Sequence, residues 1–225
     1  PDGAYRYAKG DAITLPDPFG DQTIKARIDR PIDFAAVTDH GQFLGEVALC
    51  DSDWAKLAWW APTCIMSRTK NLWVQLYAAS QWTLSGGMDG VAPERSLICD
   101  LGDCTSAATA IWSDIQGAAA RHNDTSTDCA FSTFVGYEYT QGQEAANLHR
   151  NVIFRGTERL PAVPFSRFNS INPEGLWDWM DALRKQDIES LAIPHNSNGS
   201  NGAMFMFTDW AGNAIDQEYA DQRLR

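Results

Sequence analysis

Short apolar runs that stop abruptly at an ionisable residue limit what this chain can fold into more than any other feature. Ile32–Val37 is bounded by Pro31 and by Thr38-Asp39-His40, Phe131–Tyr137 stops at Glu138, and Leu191–Ile193 stops at Pro194-His195. Runs of this length between turn signals read as buried strands whose ends deliver polar groups to a surface. Helical patterns lie between them. Ala108, Ile111, Trp112, Ile115 and Ala119 share one helix face, and Thr105 or Ser106 is placed to cap that helix. Asn172-Pro173-Glu174 opens another, with Asn at the cap, Pro in the first turn and Leu176, Trp179, Met180 and Leu183 on the buried face. Strand, helix, strand, helix, strand is the α/β pattern, and in barrels of this class chemistry gathers at the carboxyl ends of the strands.

The remaining segments add less. Residues 2–9 read as the end of a helix, and 11–30 as turn-rich and polar, punctuated by Pro16, Pro18 and Gly20. Trp54, Leu57, Ala58 and Trp59, then Leu72, Trp73, Leu76 and Tyr77, give two helical stretches separated by Pro62. A loop containing Gly86, Gly87, Gly90 and Pro93 follows. The whole of 46–104 reads as a helical insertion within one domain spanning 1–225, a length that supports a sizeable core. After Glu138 a polar loop is expected up to His149, and then the strand Asn151–Phe154.

Charge narrows the partners. Eighteen Lys and Arg against 29 Asp and Glu give −11, with no basic run, so a phosphate backbone would be repelled and nucleic acid is not expected. An acidic surface still admits a local cationic site made by metal ions. No apolar stretch reaches the roughly 18 residues of a membrane span. Nine tryptophans point to a large aromatic core or an aromatic-lined cleft, core packing being favoured. Of the five cysteines, Cys99 and Cys104 are spaced for a local disulfide, Cys50 and Cys64 can form a second, and Cys129 is left over. A disulfide at 99–104 would imply an oxidising compartment, periplasmic or secreted, with the cytoplasm as the alternative.

The chain has four histidines. His40 and His195 follow apolar runs, His149 sits at the mouth of another, and Glu138 ends the strand between. Imidazole and carboxylate donors together suit zinc, manganese or iron. Any one such histidine is more often a hydrogen-bonded residue than a ligand. Three of four, with a glutamate in a matched position, tip the reading toward a metal centre. His122 is expected to sit at a helix end against the last carbonyls.

Four segments, "IDFAAVTDHGQFLG" at 32–45, "FVGYEYT" at 134–140, "NLHRNVIF" at 147–154 and "AIPHNSNGSNG" at 192–202, resemble the PHP (polymerase and histidinol phosphatase) superfamily of metal-dependent phosphoesterases. Within it they resemble a bacterial branch catalogued as a domain of unknown function. The likeness covers most of the chain and is weakest over 51–90. It implies a distorted β/α barrel with two or three divalent ions. His40 would bind one metal, Glu138 would bridge two, and His149 with His195 would complete the second metal's shell, Glu138 and His195 being the catalytic pair. Asp39 would orient a ligand histidine from behind. The resemblance also places an opening His-x-His motif before Pro1 and a closing metal motif beyond Arg225, so the chain is expected to be an interior piece.

The activity so implied is hydrolysis of a small-molecule phosphate ester by metal-activated water. A sulfuric ester hydrolase on the same centre and a non-catalytic metal-binding scaffold are the alternatives, and a nuclease is disfavoured by charge. Asn196, Asn198 and Asn201, on the loop after His195, either hold substrate oxygens or form Asx turns. Arg150 should point away from His149 if the strand is regular, and so is not expected to clamp phosphate.

Overall fold

The computed structural model describes residues 1–16, 23–53, 55–85, 93–143, 146–209 and 212–219. Pro18, Gly20, Trp54 and the glycines at 86, 87 and 90, read above from the sequence, lie outside them. The fold is mixed α/β. In chain order its elements are α1 (Asp2–Ala8), β1 (Ile13–Pro16), β2 (Thr23–Ala26), β3 (Phe34–Val37), α2 (Leu44–Cys50), α3 (Pro62–Ser67), α4 (Leu72–Ser85), α5 (Ile98–Leu101), α6 (Cys104–His122), β4 (Ser132–Gln143), β5 (Ala146–Phe154), α7 (Glu174–Arg184) and β6 (Ser190–His195), with short 3-10 turns between some of them.

The main sheet runs β3-β4-β5-β6. β3 and β4 are parallel, as a connection through helices requires, whereas β4 pairs antiparallel with β5 and β5 with β6. Among the described residues neither this sheet nor the small β1–β2 ribbon closes into a barrel. The polar loop expected between Glu138 and His149 is instead one long hairpin, paired from Gly136↔Ile153 to Gln143↔Ala146. Likewise the segment read as turn-rich holds β1 and β2.

Along β5 burial alternates strictly: Ala146, Leu148, Arg150, Val152 and Phe154 are buried, and the residues between them are not. β4 follows the same alternation with Thr133, Val135, Tyr137, Tyr139 and Gln141 buried, broken only at Gly136, which is buried as well. One face of the sheet therefore lies on the core, where Trp112 of α6 meets Tyr137 edge-on at 5.9 Å and Phe154 at 6.1 Å. Leu176 and Met180 of α7 close that core. Trp112 Nε1 donates to the Pro161 carbonyl at 2.7 Å, which satisfies the one polar atom of a ring only 1% exposed. Core packing accounts for only part of the tryptophan content, because Trp60 and Trp73 are exposed.

Helix α6 buries the face read from its spacing, but Asp103 caps it, two residues before Thr105 and three before Ser106; its carboxylate accepts from the amides of both at 3.0 Å. In α7 the cap position falls on Pro173, and Asn172 contributes its carbonyl to the Gly175 amide. The 46–104 segment is helical as expected and has a second, smaller core of Leu49, Ala58, Ala61, Trp82 and Ile98. Both disulfides named above are formed, Cys50–Cys64 and Cys99–Cys104, and Cys129 is free and exposed. No described helix is long and apolar enough to cross a membrane.

Two contacts fix the helices. Where α2 crosses the start of α6, a Cβ on Gly45 would lie 2.1 Å from the Cys104 carbonyl oxygen, so only glycine admits this approach. At the far end of α6, His122 Nε2 meets Asp2 Oδ1 at 3.0 Å and its ring stacks on Tyr5. The partner of His122 is thus a carboxylate on α1, not the terminal carbonyls. Gly45→Ala is expected to cost about 3 kcal/mol, since backbone and not a side chain must move; urea denaturation measures it. The Arg121 guanidinium, bonded to Asp2 and helped by His122, holds the Asp2 carboxyl at about 2 instead of the usual 3.8. A lowered folded-state value means the contribution is complete above the unfolded value and is lost as pH falls through about 2. The melting-temperature gap between wild type and Asp2→Asn should accordingly be level above pH 4 and close between pH 4 and 2.

Candidate metal centre

The sheet face opposite the core carries the chemistry. On β4, Glu138 and Thr140 are two apart and therefore project to the same side. Register places His149 directly opposite Thr140, and His195 directly opposite His149. His40 follows β3 and forms a lone parallel bridge with Glu138, closed by the Glu138 amide on the Asp39 carbonyl and the Gly41 amide on the Glu138 carbonyl. Four chain segments thus bring three imidazoles and one carboxylate into one row.

The donors converge on a single atom, Glu138 Oε1. His149 Nδ1 is in contact with it, His195 Nε2 lies at 3.3 Å, and His40 Nδ1 at 3.6 Å. The ring centroids of His40 and His195 stand 5.7 and 5.6 Å from that of His149. His40, Glu138 and His149 form a group whose ligand atoms all lie within 4.8 Å of one another, a group that does not include His195. Metal–ligand bonds of about 2.0–2.1 Å in a tetrahedron hold neighbouring ligand atoms about 3.3 Å apart; the distances from Glu138 Oε1 to His195 Nε2 and His40 Nδ1 lie near that value, whereas His149 Nδ1 touches the same oxygen directly. Nitrogen and oxygen donors of this mix match zinc, manganese or iron.

Access is graded. His149 and Glu138 are 12% and 14% exposed, His195 29% and His40 53%. The inner pair is fixed in the sheet and the outer pair opens to solvent. Two buried polar atoms here have no hydrogen-bond partner: Nδ1 of His195, and Oδ1 of Asn151, the residue opposite Glu138.

The sequence reading named all four donors and overlooked Thr140. Its hydroxyl lies 3.0 Å from His40 Nδ1 and 3.3 Å from His149 Nδ1, between the two rings. The signal for it was the two-residue step from Glu138, hidden by treating that segment as a loop. Asp39 does not reach the histidines through its side chain; the carboxyl is exposed and acts electrostatically on Tyr5, while its carbonyl serves Glu138. Asn196 and Asn198 are exposed on the turn after β6, Asn196 in the left-handed conformation asparagine tolerates. Neither is bonded to the cluster. Arg150 is buried on the opposite face, as alternation requires. A second grouping, Glu46 with Cys99 and Cys104, offers no comparable site: both sulfurs are tied in their disulfide, and Arg95 holds the Glu46 carboxylate at 3.1 and 3.2 Å.

A family model described as Protein of unknown function (DUF3604) matches residues 1–225. No curated protein and no solved structure matches the chain.

If these donors form one shell, His149→Ala should weaken Zn²⁺ binding by more than the roughly 10–100-fold that loss of a supporting hydrogen bond costs, whereas Thr140→Val should fall inside that range. His122→Ala should leave binding unchanged. Calorimetric titration of chelator-treated protein reads all three.

Proposed function

The chain belongs to the DUF3604 family, and from the site it carries we propose that it is a metal-dependent hydrolase of phosphate esters. One observation carries this reading: three imidazole nitrogens gather within 3.6 Å of one carboxylate oxygen. The sequence resemblance to PHP phosphoesterases supports it independently and extends it to two or three divalent ions and to completion of the sheet as a distorted barrel. When bound, such ions would supply a water activated near neutral pH and would offset charge on the ester oxygens.

The chain's own residues divide the work. Glu138 and His149 anchor the centre from inside the sheet, and Glu138, with its second oxygen, is the group able to serve two cations at once. Thr140 Oγ1 sets the ring orientations of His40 and His149. His195, at the end of β6, stands between the buried pair and the exposed turn of Asn196 and Asn198, whose amides would meet substrate oxygens in this reading. His40 borders the open side through which an ester would enter. Both disulfides favour an oxidising compartment as the place of work.

The test is turnover of 4-nitrophenyl phosphate and 4-nitrophenyl sulfate by protein loaded with Mn²⁺ or Zn²⁺. Phosphate ester hydrolysis is expected, falling about 100-fold or more in Glu138→Gln and in His195→Ala. Turnover of the sulfate alone would transfer the assignment to sulfuric esters. Loss of neither activity on mutation, or inertness toward both esters, would reduce the centre to a scaffold.

A further inference from the structure

Arg150 is a side chain the metal centre does not use, and burial makes it costly. It stands on the core face of β5 and is 6% exposed, and its Nη1 is buried with no hydrogen-bond partner. Its guanidinium carbon lies 5.2 Å over the Trp177 ring of α7, a contact that compensates the charge on one side only. Desolvation accordingly pulls its pKa down, with Tyr139 and Glu174 opposing that effect. A buried guanidinium with an unused donor is normally paired to a carboxylate or phosphate.

The same residue lines a cavity. About 290 Å³ lies between β5, the start of α7 and the segment after Asn201, with Arg150, Trp177, Leu148 and Met204 among its walls. Thr208 lines it too, and the Thr208 hydroxyl is a second buried polar atom without a partner. Two residues that each carry an unused polar atom therefore line one space, together with aromatic and aliphatic side chains, a mixture typical of a small-molecule site.

We propose that this cavity binds a small carboxylate on an apolar or aromatic body, with Arg150 and Thr208 taking the carboxylate and Trp177 the body. An arginine fork matches the two oxygens of a carboxylate, and Thr208 Oγ1 adds a further donor. Charge sets the class. Glu174 and Asp209 also line the cavity and each opposes an anion, so a ligand with one negative charge is favoured over a dianion such as a phosphate monoester. The Asp209 carboxylate already accepts from the Asn213 amide and side chain. The site lies across the sheet from the metal centre, so it does not depend on the function proposed above.

Calorimetric titration with benzoate, benzamide and phenyl phosphate tests the proposal, using protein stripped of divalent ions. Benzoate is expected to bind at least 10-fold more tightly than either of the others. Arg150→Met should weaken benzoate binding 10-fold or more, and Thr208→Val, which alters a residue near the surface and leaves the core intact, by 3-fold or more. Equal affinity for benzamide, tighter binding of phenyl phosphate, binding that appears only with metal present, or no benzoate binding at millimolar concentration would each overturn it.

Discussion

The pleat of the β4–β5 hairpin is the constraint on which the rest of the structure depends. Side chains two apart share a face, so once Tyr137 and Tyr139 are committed to the core, Glu138 and Thr140 have no choice but the other side. Across the ladder, Val152 and Phe154 make the same commitment for β5, which turns Asn151 and His149 outward and Arg150 inward. Burying each large side chain of that core contributes about 1.5–3 kcal/mol. A slip of one residue would expose all of them and drive a glutamate and a histidine into the aromatic cluster around Trp112, so register is strongly held. Site geometry is in this sense inherited from core packing. The imidazoles meet because the aromatics on the other face leave the strands a single way to lie.

The helical segment between β3 and β4 serves a different end. A parallel pair demands a crossover, and here α2 and α6 provide it by crossing closely at Gly45. The material between them has a core too small to rely on by itself, and it is stapled twice. A loop as short as the one closed by Cys50–Cys64, with a sequence separation of 14, is worth about 3 kcal/mol through the unfolded chain. Cys99–Cys104 ties the entrance of α6 to α5, next to the buried Glu46 and the exposed Arg95 that pairs with it. The staples lie in the helical part and leave the strands that carry the donors unconstrained by covalent bonds.

How much of this could be read from residues alone follows from which signal each element leaves. Helix α6 is legible because its buried residues recur at helical spacing, and the strands are legible where they are continuously apolar. The second half of β4 is not. Thr140, Gln141 and Gly142 read as loop, yet Gln141 is buried and satisfied by its bond to the Ile171 carbonyl, so a polar residue occupies a core position without an apolar signature. The β1–β2 ribbon is equally hidden, since Leu15 and Ile24 are exposed and no amphipathic pattern is required of it. At the site, residue type picked out the four donors, but it could not place them. They were assigned to strand ends in successive βα units, whereas Glu138 and His149 sit within a hairpin and are brought together by register. Asp39 illustrates the same gap: adjacency to His40 suggested support, and alternation sends its carboxyl elsewhere.

The cluster itself poses a question of protonation. An imidazole nitrogen presents either a proton or a lone pair. A lone pair aimed at Glu138 Oε1 repels it, so each of the three nitrogens around that oxygen either turns an N–H toward it or shares a cation with it. Neutral rings can supply the N–H; full protonation would instead place imidazolium groups side by side, with ring centroids under 6 Å apart and His149 largely out of water, where like charges repel more strongly. Under the metal-dependent reading proposed above, a divalent cation would meet the lone pairs at once, keep each ring neutral and be partly balanced by the carboxylate. In a chain carrying −11 such a cation would also relieve the surrounding field. The donors are therefore those of a candidate metal-binding group.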